Sequence, residues 1–150
     1  MKIAVVGAGA IGGYLGARLA RAGEDVTFIA RNRNLEAINA NGFRLILEDG
    51  SEEHTPNVRA VQKMAEAGPQ DLVILGMKAH QVAAVAPDLH HLLDAGTSIV
   101  TMQNGVPYWY FHQHGGALAG SRLQTVDPTV VIGEKIPASQ VIGCVVYPAS

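Results

Sequence analysis

The chain has 150 residues, the usual size of one domain with a single core. Hydrophobic residues make up 48% and charged residues 16% with a net charge of −2, which excludes a disordered chain and a basic nucleic-acid surface. The single cysteine, Cys144, excludes a disulfide framework, and no segment reaches the roughly 18 apolar residues of a membrane span, so we expect a cytoplasmic protein.

The first half of the chain predicts strands and helices that alternate. A β-branched run at 2–6 is typical of a buried parallel strand, and 10–22 has apolar residues at helical spacing before Gly23. The pattern continues with a strand at 25–30, a short helix at 35–40, strands at 43–47 and 52–55 flanking the turn Asp49-Gly50, and a strand at 58–61.

The second half continues the alternation. Its predicted elements are a strand at 71–76, a helix at 80–93 despite Pro87, a strand at 98–102, a helix opened by Pro107 with aromatic residues at 108–111, and a strand at 141–147 that buries Cys144 as inert core. Strands that are apolar on both faces predict a parallel sheet covered by helices on both sides. We therefore predict one α/β domain, 1–150, with a doubly wound, mostly parallel sheet and a small β-hairpin insertion.

A glycine-rich segment joins the first predicted strand to the first helix. Its residues are Gly7, Ala8, Gly9, Ala10, Ile11 and Gly12. At a strand-to-helix turn this G-x-G-x-x-G pattern indicates a Rossmann-type dinucleotide site, with the pyrophosphate at the helix N-terminus. The alternative is a glycine-rich turn without a ligand, but glycine inside a helix costs about 1 kcal/mol relative to alanine.

The end of the second strand favours NADP(H) as the cofactor. An NAD site would place Asp or Glu there, whereas this chain has Arg31 and no carboxylate before Glu36. A guanidinium suits a 2′-phosphate in both charge and geometry. The alternative for Arg31 is a solvated loop arginine.

Three further segments follow the fingerprint in order. They are Leu75-Gly76-Met77-Lys78-Ala79-His80-Gln81-Val82, Gln103-Asn104-Gly105-Val106 and Gly143-Cys144-Val145-Val146-Tyr147-Pro148-Ala149. With these motifs the chain resembles the cofactor-binding half of the ketopantoate reductases (2-dehydropantoate 2-reductases). The resemblance implies reduction of ketopantoate to pantoate with NADPH, on the route to pantothenate and coenzyme A.

The resemblance also implies roles for individual residues. The segment 7–12 would hold the pyrophosphate and Arg31 the 2′-phosphate, while Lys78 and Asn104 would line the nicotinamide and substrate side, and Ala149 would offer backbone to the cofactor. Lys78 and Asn104 both follow predicted strands, where open α/β sheets bind ligands. The alternatives are an exposed lysine at a helix start and a simple Asn-Gly turn.

The resemblance also implies that the proton-donating lysine belongs to a helical second domain beyond Ser150, which the 150 residues do not include. The remaining lysines of this chain, Lys2, Lys63 and Lys135, lie in no motif that could replace that lysine. The expected partners are NADP(H) and a small 2-keto acid substrate. We expect the 150 residues alone, as a fragment or truncated protein, to bind the cofactor but to be catalytically incomplete. The surface left bare is expected to pair with another copy as a homo-oligomer.

Two other functions fit the fingerprint. One is the cofactor domain of another dehydrogenase acting on a 2-keto or 3-hydroxy acid. The other is a stand-alone nucleotide-sensing domain, such as the regulatory subunits of potassium transporters, which usually carry an acidic residue where this chain has Arg31. His112 and His114 are two residues apart with no third ligand near, so no metal site is predicted.

Overall fold

A six-stranded sheet organises the computed structural model, which describes residues 1–147. The strand order is β5-β2-β1-β6-β7-β8, and every neighbouring pair is parallel. The strands are β1 (Lys2–Val6), β2 (Asp25–Ile29), β3 (Phe43–Ile46), β4 (Glu52–Thr55), β5 (Arg59–Val61), β6 (Leu72–Leu75), β7 (Ser98–Thr101) and β8 (Val141–Gly143). The predicted α/β class with a parallel sheet is confirmed.

Helices connect the strands of this sheet. The α-helices are α1 (Ala10–Arg21), α2 (Asn32–Asn41), α3 (Ala79–Val85) and α4 (Val131–Lys135), and the 3₁₀ helices are Met64–Glu66, Ala86–His91, Gly116–Leu118 and Ala138–Gln140. None of the helices within residues 1–147 is long and apolar enough to cross a membrane.

The core has two layers, one on each face of the sheet. Ile3 and Val5 of β1 pack in the layer that contains α1 and α2, whereas Ala4 and Val6 pack in the layer that contains α3. All four side chains are buried. A strand buried on both faces needs this uninterrupted apolar run, which is why β1 is so clear in the sequence.

Helix α1 lies very close to the sheet because it has glycine where it crosses β1 and β2. A Cβ at Gly16 would overlap the ring of Phe28, and a Cβ at Gly12 would overlap the carbonyl oxygen of Gly7. These glycines set the height of the helix above the sheet.

The predicted hairpin is confirmed as a separate two-stranded antiparallel sheet, with Phe43 opposite Thr55. It packs against α1, where the guanidinium of Arg18 forms an ion pair with the carboxylate of Glu53 at 2.5 Å. The Phe43 ring lies 4.5 Å from the ring of Phe28, measured between centroids.

Two predicted helices are wrong in extent or in kind. The helix predicted at 80–93 is α-helical only to Val85 and continues as the 3₁₀ helix Ala86–His91, since Pro87 has no N–H for the α-helical ladder. The helix predicted from Pro107 is a series of turns, with the N–H of Tyr110 bonded to the Pro107 carbonyl at 3.1 Å. Tyr108 is held instead by donating to the Ile136 carbonyl at 2.9 Å, and its burial raises the pKa of its phenol.

The last predicted strand is also shorter than expected. Strand β8 ends at Gly143, where the absent side chain leaves room for the indole of Trp109. Cys144 therefore follows the strand and is half-buried, which corrects its prediction as core. Helix α4 was not predicted, and α2 begins at Asn32, three residues before the predicted start.

Candidate dinucleotide-binding site

The carboxyl ends of β1, β6 and β7 open into one surface depression, which we call the main cleft. Its lining comes from the loops after these strands and from the segment after β8: Gly7, Gly9, Ala10, Ile11, Gly76, Met77, Lys78, Ala79, His80, Gln81, Met102, Gln103, Asn104 and Val146. Parallel strands place all their carboxyl ends at one edge, so these loops meet there. Of the predicted site residues, this cleft brings together six: Gly7, Gly9, Ala10, Ile11, Lys78 and Asn104.

The glycine loop forms one wall of the main cleft. Gly7 has a φ of +97°, a conformation that side chains rarely adopt, while Gly9 has an ordinary φ of −81° and caps the N-terminus of α1. A Cβ at Gly9 would meet nothing within 4 Å. The first turn of α1 has no acidic side chain and no side-chain cap, so its free N–H groups can receive an anion.

A second depression, the adjoining groove, continues the main cleft toward β2. The two depressions share Gly7, Met77, His80 and Gln81. The adjoining groove also contains Ala8, Arg31 and Asn34. The Asn34 amide donates to the Ala8 carbonyl at 3.0 Å, which ties the start of α2 to the glycine loop. Arg31 is exposed and makes no ion pair within residues 1–147.

Lys78 precedes α3 and brings an exposed ammonium group to the opposite wall of the main cleft. Its backbone N–H donates to the Gln81 side chain at 3.1 Å. The Gln103 amide donates to the carbonyls of Leu75 at 2.8 Å and Met77 at 3.1 Å. These bonds fix the loop after β6, so that a flexible lysine extends from a rigid base.

The side-chain amide of Asn104 is hydrogen-bonded to the backbone of Val146. Its Nδ2 donates to the Val146 carbonyl, and its Oδ1 accepts from the Val146 N–H, both at 2.8 Å. Asn104 lies at the main cleft as predicted, but its amide holds the segment after β8 against the loop after β7. Ala149, predicted to contact the cofactor, lies outside the described residues.

The two hydrogen bonds between Asn104 and the Val146 backbone form what we call the Asn104 clamp. Its removal is expected to loosen the segment after β8. In Asn104→Ala, both bonds to Val146 are lost, and since Asn104 is exposed the free energy of unfolding should fall by only about 1 kcal/mol. Hydrogen exchange at the Val146 amide should become faster. The matched control is Asn39→Ala, since the Asn39 amide makes the same pair of bonds, at 3.1 Å, with the backbone of Ala60.

Equal exchange at Val146 in both variants would show that the clamp does not hold this segment.

Asn34, Gln81 and Gln103 contribute to the site but were not among the predicted site residues. Gln81 and Gln103 lie within the motifs at 75–82 and 103–106. The signal that could have marked them is an amide side chain just after a strand. The sequence carries no comparable signal for Asn34, because its acceptor lies 26 residues earlier in the chain.

The chain is similar in sequence to known proteins of one family. Residues 3–108 match the family model described as ketopantoate reductase PanE/ApbA. The chain is 55% identical over 150 residues to the 2-dehydropantoate 2-reductase of Mesorhizobium japonicum, covering 99% of this chain and 45% of that protein. The chain therefore spans about half the length of this curated relative.

Solved structures show the same likeness. A protein from Ralstonia solanacearum MolK2 assigned to the ketopantoate reductases superposes with a TM-score of 0.89 and 47% identity, covering 97% of this chain and 44% of that one. The 2-dehydropantoate 2-reductase of Geobacter metallireducens GS-15 gives a TM-score of 0.73 and 32% identity, covering 95% and 40%. The chain belongs to the ketopantoate reductase family.

Proposed function

We propose that this chain provides the NADP(H)-binding part of a 2-dehydropantoate 2-reductase, which reduces ketopantoate to pantoate. The observation that carries the proposal is the continuity of the surface from Arg31, past Gly7 and Gly9, to Lys78 and Asn104. This path places a cation, a helix N-terminus and a second cation in the order that a phosphorylated dinucleotide and an anionic keto acid require.

Each part of the path would have its own task. The N–H groups at the start of α1 would bind the pyrophosphate, since the Gly9 position is open and carries no side chain. Arg31 would pair with the 2′-phosphate. Lys78 would attract the carboxylate of the keto acid, and the Asn104 clamp would hold the Val146 backbone beside the nicotinamide end. When bound, NADPH supplies the hydride for the reduction.

Titration of the purified protein with NADPH and NADH tests the cofactor preference. We expect NADPH to bind about 10- to 150-fold more tightly, the value of roughly 1.5–3 kcal/mol for a charge-assisted arginine–phosphate contact. Arg31→Ala should remove most of this difference and leave NADH binding unchanged. Arg33→Ala is the matched control, because Arg33 is equally exposed but lines neither the main cleft nor the adjoining groove.

Equal affinities for the two cofactors, or a loss in Arg33→Ala as large as that in Arg31→Ala, would contradict the assignment of Arg31.

Self-association and a cytoplasmic location remain predictions. Self-association is supported by exposed apolar side chains in and after β8, where Ile142 is 52% and Val145 61% exposed. Sedimentation of the purified chain over a range of concentrations measures it directly.

A further inference from the structure

Lys63 lies beside Arg31 because of the strand register. Strands β2 and β5 are parallel neighbours with Ile29 opposite Val61, and the N–H of Ala30 bonds to the Val61 carbonyl at 3.0 Å. Arg31 stands two residues beyond Ile29, and Lys63 two residues beyond Val61. Both continue in extended conformation, with φ and ψ of −133° and 155° for Arg31 and −103° and 136° for Lys63. Paired strands lie about 5 Å apart, so the two residues leave the sheet side by side.

The two residues line a common depression, which we call the outer groove. Gln62, Asp88 and His91 also contribute to its walls. The outer groove and the adjoining groove share Ile29, Arg31 and Met64. Lys63 therefore stands at the end of the path that is farthest from Lys78, next to the residue assigned to the 2′-phosphate.

The charges of this pair are not neutralised within the protein. Neither Arg31 nor the Lys63 ammonium group takes part in an ion pair or side-chain hydrogen bond among residues 1–147, and both residues are exposed. Asp88 lines the same groove without reaching either cation within 4 Å. By contrast, the arginines on α1 and β3 are paired with the carboxylates of Glu53 and Glu52.

Glu66 stands close to Lys63 along the chain, and its carboxylate is already engaged. It accepts a hydrogen bond from the backbone N–H of Lys63 at 2.8 Å, so it caps the N-terminus of the 3₁₀ helix Met64–Glu66. Two adjacent unneutralised cations at the end of a groove form a site for a doubly charged anion such as a phosphate monoester.

We propose that Lys63 is the second cation for the 2′-phosphate of NADP(H), acting with Arg31. The inference rests on the proposed function and extends it, because no sequence motif marks Lys63. The two side chains would contact the phosphate in different ways because their charged groups differ in geometry. The planar guanidinium of Arg31 suits a bidentate contact, and the Lys63 ammonium is a mobile point charge that reaches a remaining phosphate oxygen.

The experiment compares Lys63→Met with the unmodified protein in titrations with NADPH, NADH and adenosine 2′,5′-bisphosphate. Methionine keeps an apolar stem and removes the charge. We expect NADPH and the bisphosphate to bind about tenfold more weakly, with NADH unchanged. Lys135→Met is the matched control, since Lys135 is equally exposed on α4 and lines none of the three depressions.

Each other outcome has a definite meaning. Unchanged NADPH binding in Lys63→Met, or equal weakening of NADPH and NADH, would overturn the role of Lys63 while leaving the proposed function intact. Failure of the unmodified, folded protein to bind any dinucleotide would overturn the proposed function itself. Circular dichroism of each variant separates loss of binding from loss of fold.

Discussion

Gly9→Val is expected to abolish binding of both NADPH and NADH while the protein stays folded. A Cβ at position 9 meets no protein atom within 4 Å, and the φ of −81° suits a branched residue. In the proposed function the pyrophosphate approaches the first N–H groups of α1 through this open space, so the branches of a valine there would exclude it. We expect at least about a 100-fold loss of affinity, with only about 1 kcal/mol of stability lost because valine caps a helix poorly. Calorimetric titration measures the affinity and thermal unfolding the stability.

Two other glycines make this experiment specific. Gly96→Val is the matched control, since Gly96 is exposed, has no positive φ, lies outside the main cleft and has Asp94 Oδ1 as its only near neighbour, at 3.5 Å. Gly12→Val should instead destabilise the fold, because its Cβ would overlap the Gly7 carbonyl oxygen. Normal dinucleotide binding by folded Gly9→Val would show that the glycine loop is only a structural turn.

The elements that the sequence predicts correctly are those with local causes. Strand β1 is a continuous apolar run because both its faces are buried, and the hairpin of β3 and β4 carries its turn signal, Asp49-Gly50, within the chain segment itself. The glycine fingerprint is likewise local, since Gly7 needs its positive φ and Gly12 its close approach within six residues.

The elements that the sequence misses depend on distant contacts. The segment after β8 is not a strand because Asn104, 42 residues earlier, captures the Val146 backbone. The aromatic run after Pro107 forms turns because Tyr108 is anchored 28 residues away at Ile136. The proximity of Arg31 and Lys63 is inferred from the register of β2 and β5, which places Ile29 opposite Val61 and which no local pattern encodes.

The polypeptide of these 150 residues is expected to bind NADPH and yet to reduce ketopantoate very slowly. Reduction of the ketone leaves an alkoxide that needs a proton from a positioned acid. Within residues 1–147, the basic side chains at the main cleft are Lys78 and His80, and both are exposed to water rather than fixed in place. Loss of a positioned acid costs about 10²- to 10⁴-fold in rate, or about 3–5.5 kcal/mol of barrier.

An NADPH oxidation assay with ketopantoate measures this rate, with the similar 2-dehydropantoate 2-reductase of Mesorhizobium japonicum as the reference enzyme. We expect the 150 residues to turn over at least about 100-fold more slowly than that enzyme, because the exposed Lys78 and His80 are not fixed as acids and the open cleft leaves the substrate poorly oriented. NADPH binding, measured separately, should remain. Turnover at an ordinary rate of about 1 to 10³ per second would contradict the prediction. The proton donor would then be sought within the cleft, with Lys78→Met and His80→Gln as the deciding variants, since these are the exposed basic side chains that line the main cleft among residues 1–147.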